Sequence, residues 1–131
     1  MRIAHHGAVT GVTGSCHELW VDDAHSVLID CGLFQGAETS GTGASAERLG
    51  IEFDLGAVRA VLVTHGHLDH VGRLPSLLAA GFQGPIYCSE PTAVLLPLML
   101  EDALKVGFTR DPVLGEVTGP AGQQGVVRSR R

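Results

Sequence analysis

The sequence predicts an α/β fold, and three observations carry that prediction. Residues 58–63 read VRAVLV, apolar and β-branched apart from Arg59, which suits a buried central strand. Two shorter strand-like runs, residues 17–21 and 26–30, flank a polar DDAH turn and predict a β-hairpin. Residues 72–80 place Leu74, Leu77 and Leu78 on one side at helical spacing.

The remaining elements follow along the chain. A short strand is expected at residues 2–5, before a glycine-rich loop with Gly7, Gly11 and Gly14. Residues 32–50 are small and polar and predict a mobile loop. Pro75 is tolerated in a first helical turn, and Gly81 is a natural stop. Residues 85–88 are a strand candidate. Ser89 is placed to cap a helix from Glu90 to about Lys105, bent at Pro97. From Pro112 the period is lost and Arg128, Arg130 and Arg131 close the chain, so residues 112–131 are expected to form a disordered tail.

Composition narrows the class. The chain has 131 residues, 44% of them hydrophobic, a length for one compact domain. The net charge of −5 argues against a module that binds nucleic acid by phosphate neutralisation alone. Three cysteines, Cys16, Cys31 and Cys88, form no C-x-x-C and predict core packing in a reducing compartment. With no apolar leader and no run long enough to span a bilayer, a cytoplasmic protein is expected.

The chemistry concentrates at residues 65–70, H-G-H-L-D-H. Imidazole and carboxylate are ligands for zinc and similar divalent ions. Four such groups, His65, His67, Asp69 and His70, fall within six residues directly behind the central strand. His65 and His67 are two apart and point to one side of an extended segment. Gly66 is expected to permit a tight path, and a turn then brings Asp69 and His70 towards a second ion. Ions paired about 3.5–4 Å apart are the usual arrangement for two-metal hydrolysis. Other candidates are weaker. His17 is as well explained by strand packing as by a site role. His5 and His6 are expected on the surface, and His25 in an exposed turn. No P-loop and no G-x-S-x-G elbow is present.

THGHLDHVG at 64–72 resembles the main metal motif of the metallo-β-lactamase superfamily. TGSCHELW at 13–20, LIDCGLFQG at 28–36, GRLPSLLAAGFQGPIYCSEPT at 72–92 and LPLMLEDALK at 96–105 are similar to its β-CASP branch of RNA-processing nucleases. The resemblance implies that residues 1–111 are the N-terminal half, and so an incomplete part, of an αββα sandwich. It implies two zinc ions, with His65 and His67 on the first and Asp69 and His70 on the second. Asp69 and Asp30 are the carboxylates it places in the catalytic centre, Asp30 supporting a ligand histidine from below. RNA is the implied substrate, cut by a metal-activated hydroxide. The family's later ligands have no counterpart, since no histidine follows His70. An inactive truncated product with weak metal binding is therefore one alternative, and a thioester or lactam hydrolase another. An RNA-binding module without chemistry fits least, because the chain lacks an aromatic stacking platform.

Overall fold

The computed structural model describes residues 1–35 and 50–106. The segment 36–49, which holds most of the expected mobile loop, and the expected tail at 112–131 lie outside the described residues.

Five strands form one sheet in sequence order. They are β1 (Arg2–His5), β2 (His17–Trp20), β3 (Ser26–Ile29), β4 (Val58–Leu62) and β5 (Ile86–Tyr87). β1, β2 and β3 pair antiparallel, whereas β3–β4 and β4–β5 are parallel. Connection length fits the pairing on either side of β3: a five-residue turn, residues 21–25, reverses the chain between β2 and β3, while the parallel neighbours are joined by long crossovers. In the β2–β3 turn, Asp22 Oδ1 accepts from the Ala24 N–H at 2.8 Å and contacts His25 Nδ1 at 2.8 Å. These bonds, the Ala24 N–H first, hold the Asp22 carboxyl below its ordinary range.

Among the described residues the helices are α1 (Leu68–Val71), α2 (Leu74–Ala79) and α3 (Glu90–Val106). The sequence predicts one helix over 72–80. The structure instead shows a single helical turn starting inside the histidine motif, then α2 with Pro75 near its start. At the start of α3 the Ser89 carbonyl accepts from Ala93 N at 2.9 Å, and the Ser89 hydroxyl donates to Thr92 Oγ1 at 3.0 Å. None of the helices is long and apolar enough to cross a membrane, among the described residues.

The two sheet faces differ. Leu28, Val61 and Ile86 alternate onto one face and join Val71, Leu74, Leu77, Phe82 and Leu96 in the core. The other face carries Ile3, Leu19, Val27 and Ala60 in one row, and His5, His17, Ile29, Leu62 and Tyr87 in the next. There Ile3 is 56% and Leu62 43% exposed.

The start of the expected loop is not loose. Residues 32–33 are buried, with Gly32 N donating to Ser15 O at 2.8 Å and Leu33 N to Leu68 O at 2.8 Å. A Cβ on Gly32 would overlap the Asp69 carbonyl, so this close approach needs glycine. Gly66 differs from expectation. Its φ is not positive, and a Cβ there would meet only Met99 Sδ at 3.6 Å and Thr92 Cγ2 at 3.8 Å.

Candidate metal centre

The histidine motif leaves the C-terminal end of β4, beside the end of β3. This is the edge of an α/β sheet where sites are usually built. Backbone bonds clamp the segment from below. Cys31 N donates to His70 O at 2.8 Å, Ser15 N to Asp69 O at 2.9 Å, and Arg73 N to Cys31 O at 2.9 Å. The candidate ligands therefore rest on two other stretches of chain, around Ser15 and Cys31.

Asp30 lies at the centre of this clamp. It is 2% exposed and adopts φ 63°, a left-handed conformation that aspartate tolerates better than most residues. Its Oδ1 accepts from Thr64 N at 2.8 Å. The Thr64 hydroxyl donates to the same carboxylate, 2.9 Å from Oδ2, and the Ser15 hydroxyl donates to Oδ2 at 3.2 Å. His70 Nδ1 stands 2.7 Å from Oδ2. A carboxylate accepts and cannot donate, so His70 carries a proton on Nδ1, and in the neutral ring the lone pair is then on Nε2. Nε2 in turn is 3.5 Å from Asp69 Oδ2. Thr64 Oγ1 also lies 3.1 Å from His65 Nδ1. With its proton given to Asp30, the hydroxyl accepts from His65, which fixes that ring in the same tautomer.

The structure thus brings His65, His67 and His70 together. The ring centroids of His65 and His70 are 4.0 Å apart, and those of His65 and His67 4.7 Å. Asp69 is partly buried beside His70. The donor types, and the free Nε2 atoms on His65 and His70, fit a divalent ion. Among the described residues, however, no group of three or more His, Cys, Asp or Glu is arranged to hold an ion together.

Several functional details escape the sequence. Ser15 and Thr64 bind Asp30 through the tertiary fold, with only their places next to Cys16 and His65 as a signal. His6 is not a surface residue. It is half-buried, stacks on Phe53 at 3.7 Å, and its Nε2 meets the buried Glu18 at 2.8 Å. His5 is exposed as expected, but it pairs with His17 across β1–β2. Burial, then the neighbouring His5, lowers the His17 pKa below the usual histidine value. Asp30 pairs with neither. His25 lies in the exposed turn, as the sequence indicates.

The cysteines pack as core groups. Cys16 and Cys31 are fully buried and hydrogen-bonded to each other, which lowers Cys16 and, with burial, pushes Cys31 well up. Arg73, 4% exposed, donates from Nε to Gly32 O at 2.5 Å and lies over the Phe34 ring.

The parallel strands of this mixed sheet end in a histidine- and aspartate-rich loop with a buried aspartate beneath it. A family model described as the metallo-beta-lactamase superfamily matches residues 9–128, and the chain belongs to that superfamily.

Its relatives include RNA-processing proteins. Ribonuclease TTHA0252 of Thermus thermophilus is 49% identical over 106 residues, which cover 81% of this chain and 23% of that protein. Transcription termination factor FttA of Methanocaldococcus jannaschii is 37% identical, covering 81% of this chain and 16% of that protein. Cleavage and polyadenylation specificity factor subunit 3-II of Arabidopsis thaliana is 34% identical, covering 79% and 17%. The chain spans about a quarter or less of the length of these relatives.

Proposed function

We propose that this chain carries the first part of the metal centre of a β-CASP-type ribonuclease, which hydrolyses RNA phosphodiester bonds with the help of zinc. The observation that carries the reading is the Asp30–His70 contact at 2.7 Å, beneath three clustered imidazoles. A carboxylate that fixes a histidine's tautomer and raises its basicity is the usual partner of a metal ligand. His65 and His67 would hold one zinc, and Asp69 and His70 a second. Zinc in such a site lowers the pKa of bound water and stabilises charge on a phosphate. The chain's own residues do the rest: Asp30 and Thr64 set which ring nitrogens are free, and the clamp from Ser15 and Cys31 fixes their position. Every candidate ligand in this reading lies within residues 1–111, and RNA in the cytoplasm is the substrate.

One observation favours a second reading for the chain alone, weak metal binding without turnover: among the described residues no three donors converge. Incubation with single-stranded RNA and zinc separates the two. Chelator-sensitive cleavage that is lost in His67→Ala supports the ribonuclease and overturns the second reading. Equal cleavage by both proteins removes the motif from the mechanism. A panel including a lactam and a thioester checks the substrate class.

A further inference from the structure

β1 and β2 present a second pair of metal-binding side chains, on the sheet face turned away from the helices. His5 and His17 stand directly opposite each other in the antiparallel register. Their Nδ1 atoms are 2.8 Å apart and their rings meet edge to face, with centroids 4.9 Å apart. The backbone bond from His6 N to Cys16 O, 2.8 Å, ties the strands together beside them. At that separation one Nδ1 carries a proton and the other accepts it.

Late first-row divalent ions bind imidazole nitrogen at about 2.0–2.1 Å, so two nitrogens sharing one ion in square or tetrahedral geometry lie about 2.9–3.4 Å apart. The observed spacing is short of that range by a shift that small ring rotations supply. The strands are already ordered, so chelation demands little further loss of chain freedom. His5 is exposed and His17 half-buried, so solvent reaches the pair and can supply the water that two protein ligands require.

We propose that His5 and His17 form a two-imidazole chelate for a late first-row divalent cation (Ni²⁺, Cu²⁺ or Zn²⁺), separate from the H-x-H-x-D-H loop. On binding, the ring that held its proton on Nδ1 carries it on Nε2 instead. Both rings stay neutral and both Nδ1 lone pairs face the ion. The bound ion then cross-links β1 to β2.

The test uses the full chain with His65→Ala and His67→Ala, so that the loop's first two donors are gone. Ni²⁺ is titrated calorimetrically, and the thermal midpoint is followed with and without it. The proposal expects about one equivalent of Ni²⁺ and a metal-dependent rise in midpoint. Adding either His5→Gln or His17→Gln should weaken binding about tenfold or more and remove the rise. His5 lies exposed on an edge strand, so His5→Gln decides the matter even if His17→Gln unfolds the chain. Ni²⁺ affinity and midpoint shift unchanged by His5→Gln, or no Ni²⁺ binding in the background protein, would overturn it.

Discussion

Asp30 combines a left-handed backbone, near-complete burial and four polar contacts, and each property serves the next. The φ of 63° turns the chain sharply off β3 and aims the carboxylate back beneath the motif. Strain of this kind persists where surrounding bonds over-determine it, and it gathers at functional sites. Asp30→Asn keeps the shape but supplies an amide in place of one acceptor, so the amide opposes either Thr64 or His70. Divalent-metal affinity should fall about 10–100-fold, as is typical when the partner of a ligand histidine is lost. Competition titration against a chromogenic chelator measures it; unchanged affinity would separate Asp30 from the metal loop. The sequence marks Asp30 as a strand-end carboxylate. It gives no sign of Thr64 or Ser15 as its partners, because bonds spanning residues 15, 30 and 64 exist only once three segments have packed.

Elements were legible where periodicity is strong. The strand at residues 2–5, the hairpin and the long helix after Ser89 lie close to where alternation, turn residues and helical spacing place them. The histidine motif was not legible in this sense. Read as a turn, it contains a helical turn from Leu68, because Leu33 N and Cys31 N reach the Leu68 and His70 carbonyls from a distant segment. Gly32 is the position on which this contact depends, since any side chain there overlaps the Asp69 carbonyl. Gly32→Ala should cost about 2–3 kcal/mol of stability, in the range of overpacked sites, and displace Asp69 and His70. Urea unfolding checks the cost; a change under about 0.5 kcal/mol would mean that the clamp relaxes freely.

At the scale of the whole molecule, one sheet face is covered by helices and the other is not, among the described residues. Ile3 and Leu62 stand exposed on the second face, in rows with Leu19, Val27 and Ile29. An apolar face of this kind favours association. The paired change Ile3→Thr and Leu62→Thr should lower concentration-dependent association in sedimentation while leaving the circular-dichroism spectrum unchanged. Association that persists unaltered would place the sticky surface elsewhere. Residues 58–63 read as a buried strand, yet Leu62 stands on the open face, because apolar content alone does not say which face is covered. The pairing of His5 with His17 likewise depended on strand register, which a sequence without the fold does not specify.

The central claim is that the loop behind β4 grips divalent cations through imidazole Nε2 atoms whose tautomers Asp30 and Thr64 set. Long-range ¹⁵N–¹H NMR of the histidine rings during zinc addition reads this directly. The account predicts that His65 and His70 keep their protons on Nδ1 throughout, and that their Nε2 signals, with a ring signal of His67, move to metal-bound shifts. Zinc that leaves these three rings unmoved, or binds them through Nδ1, would contradict it.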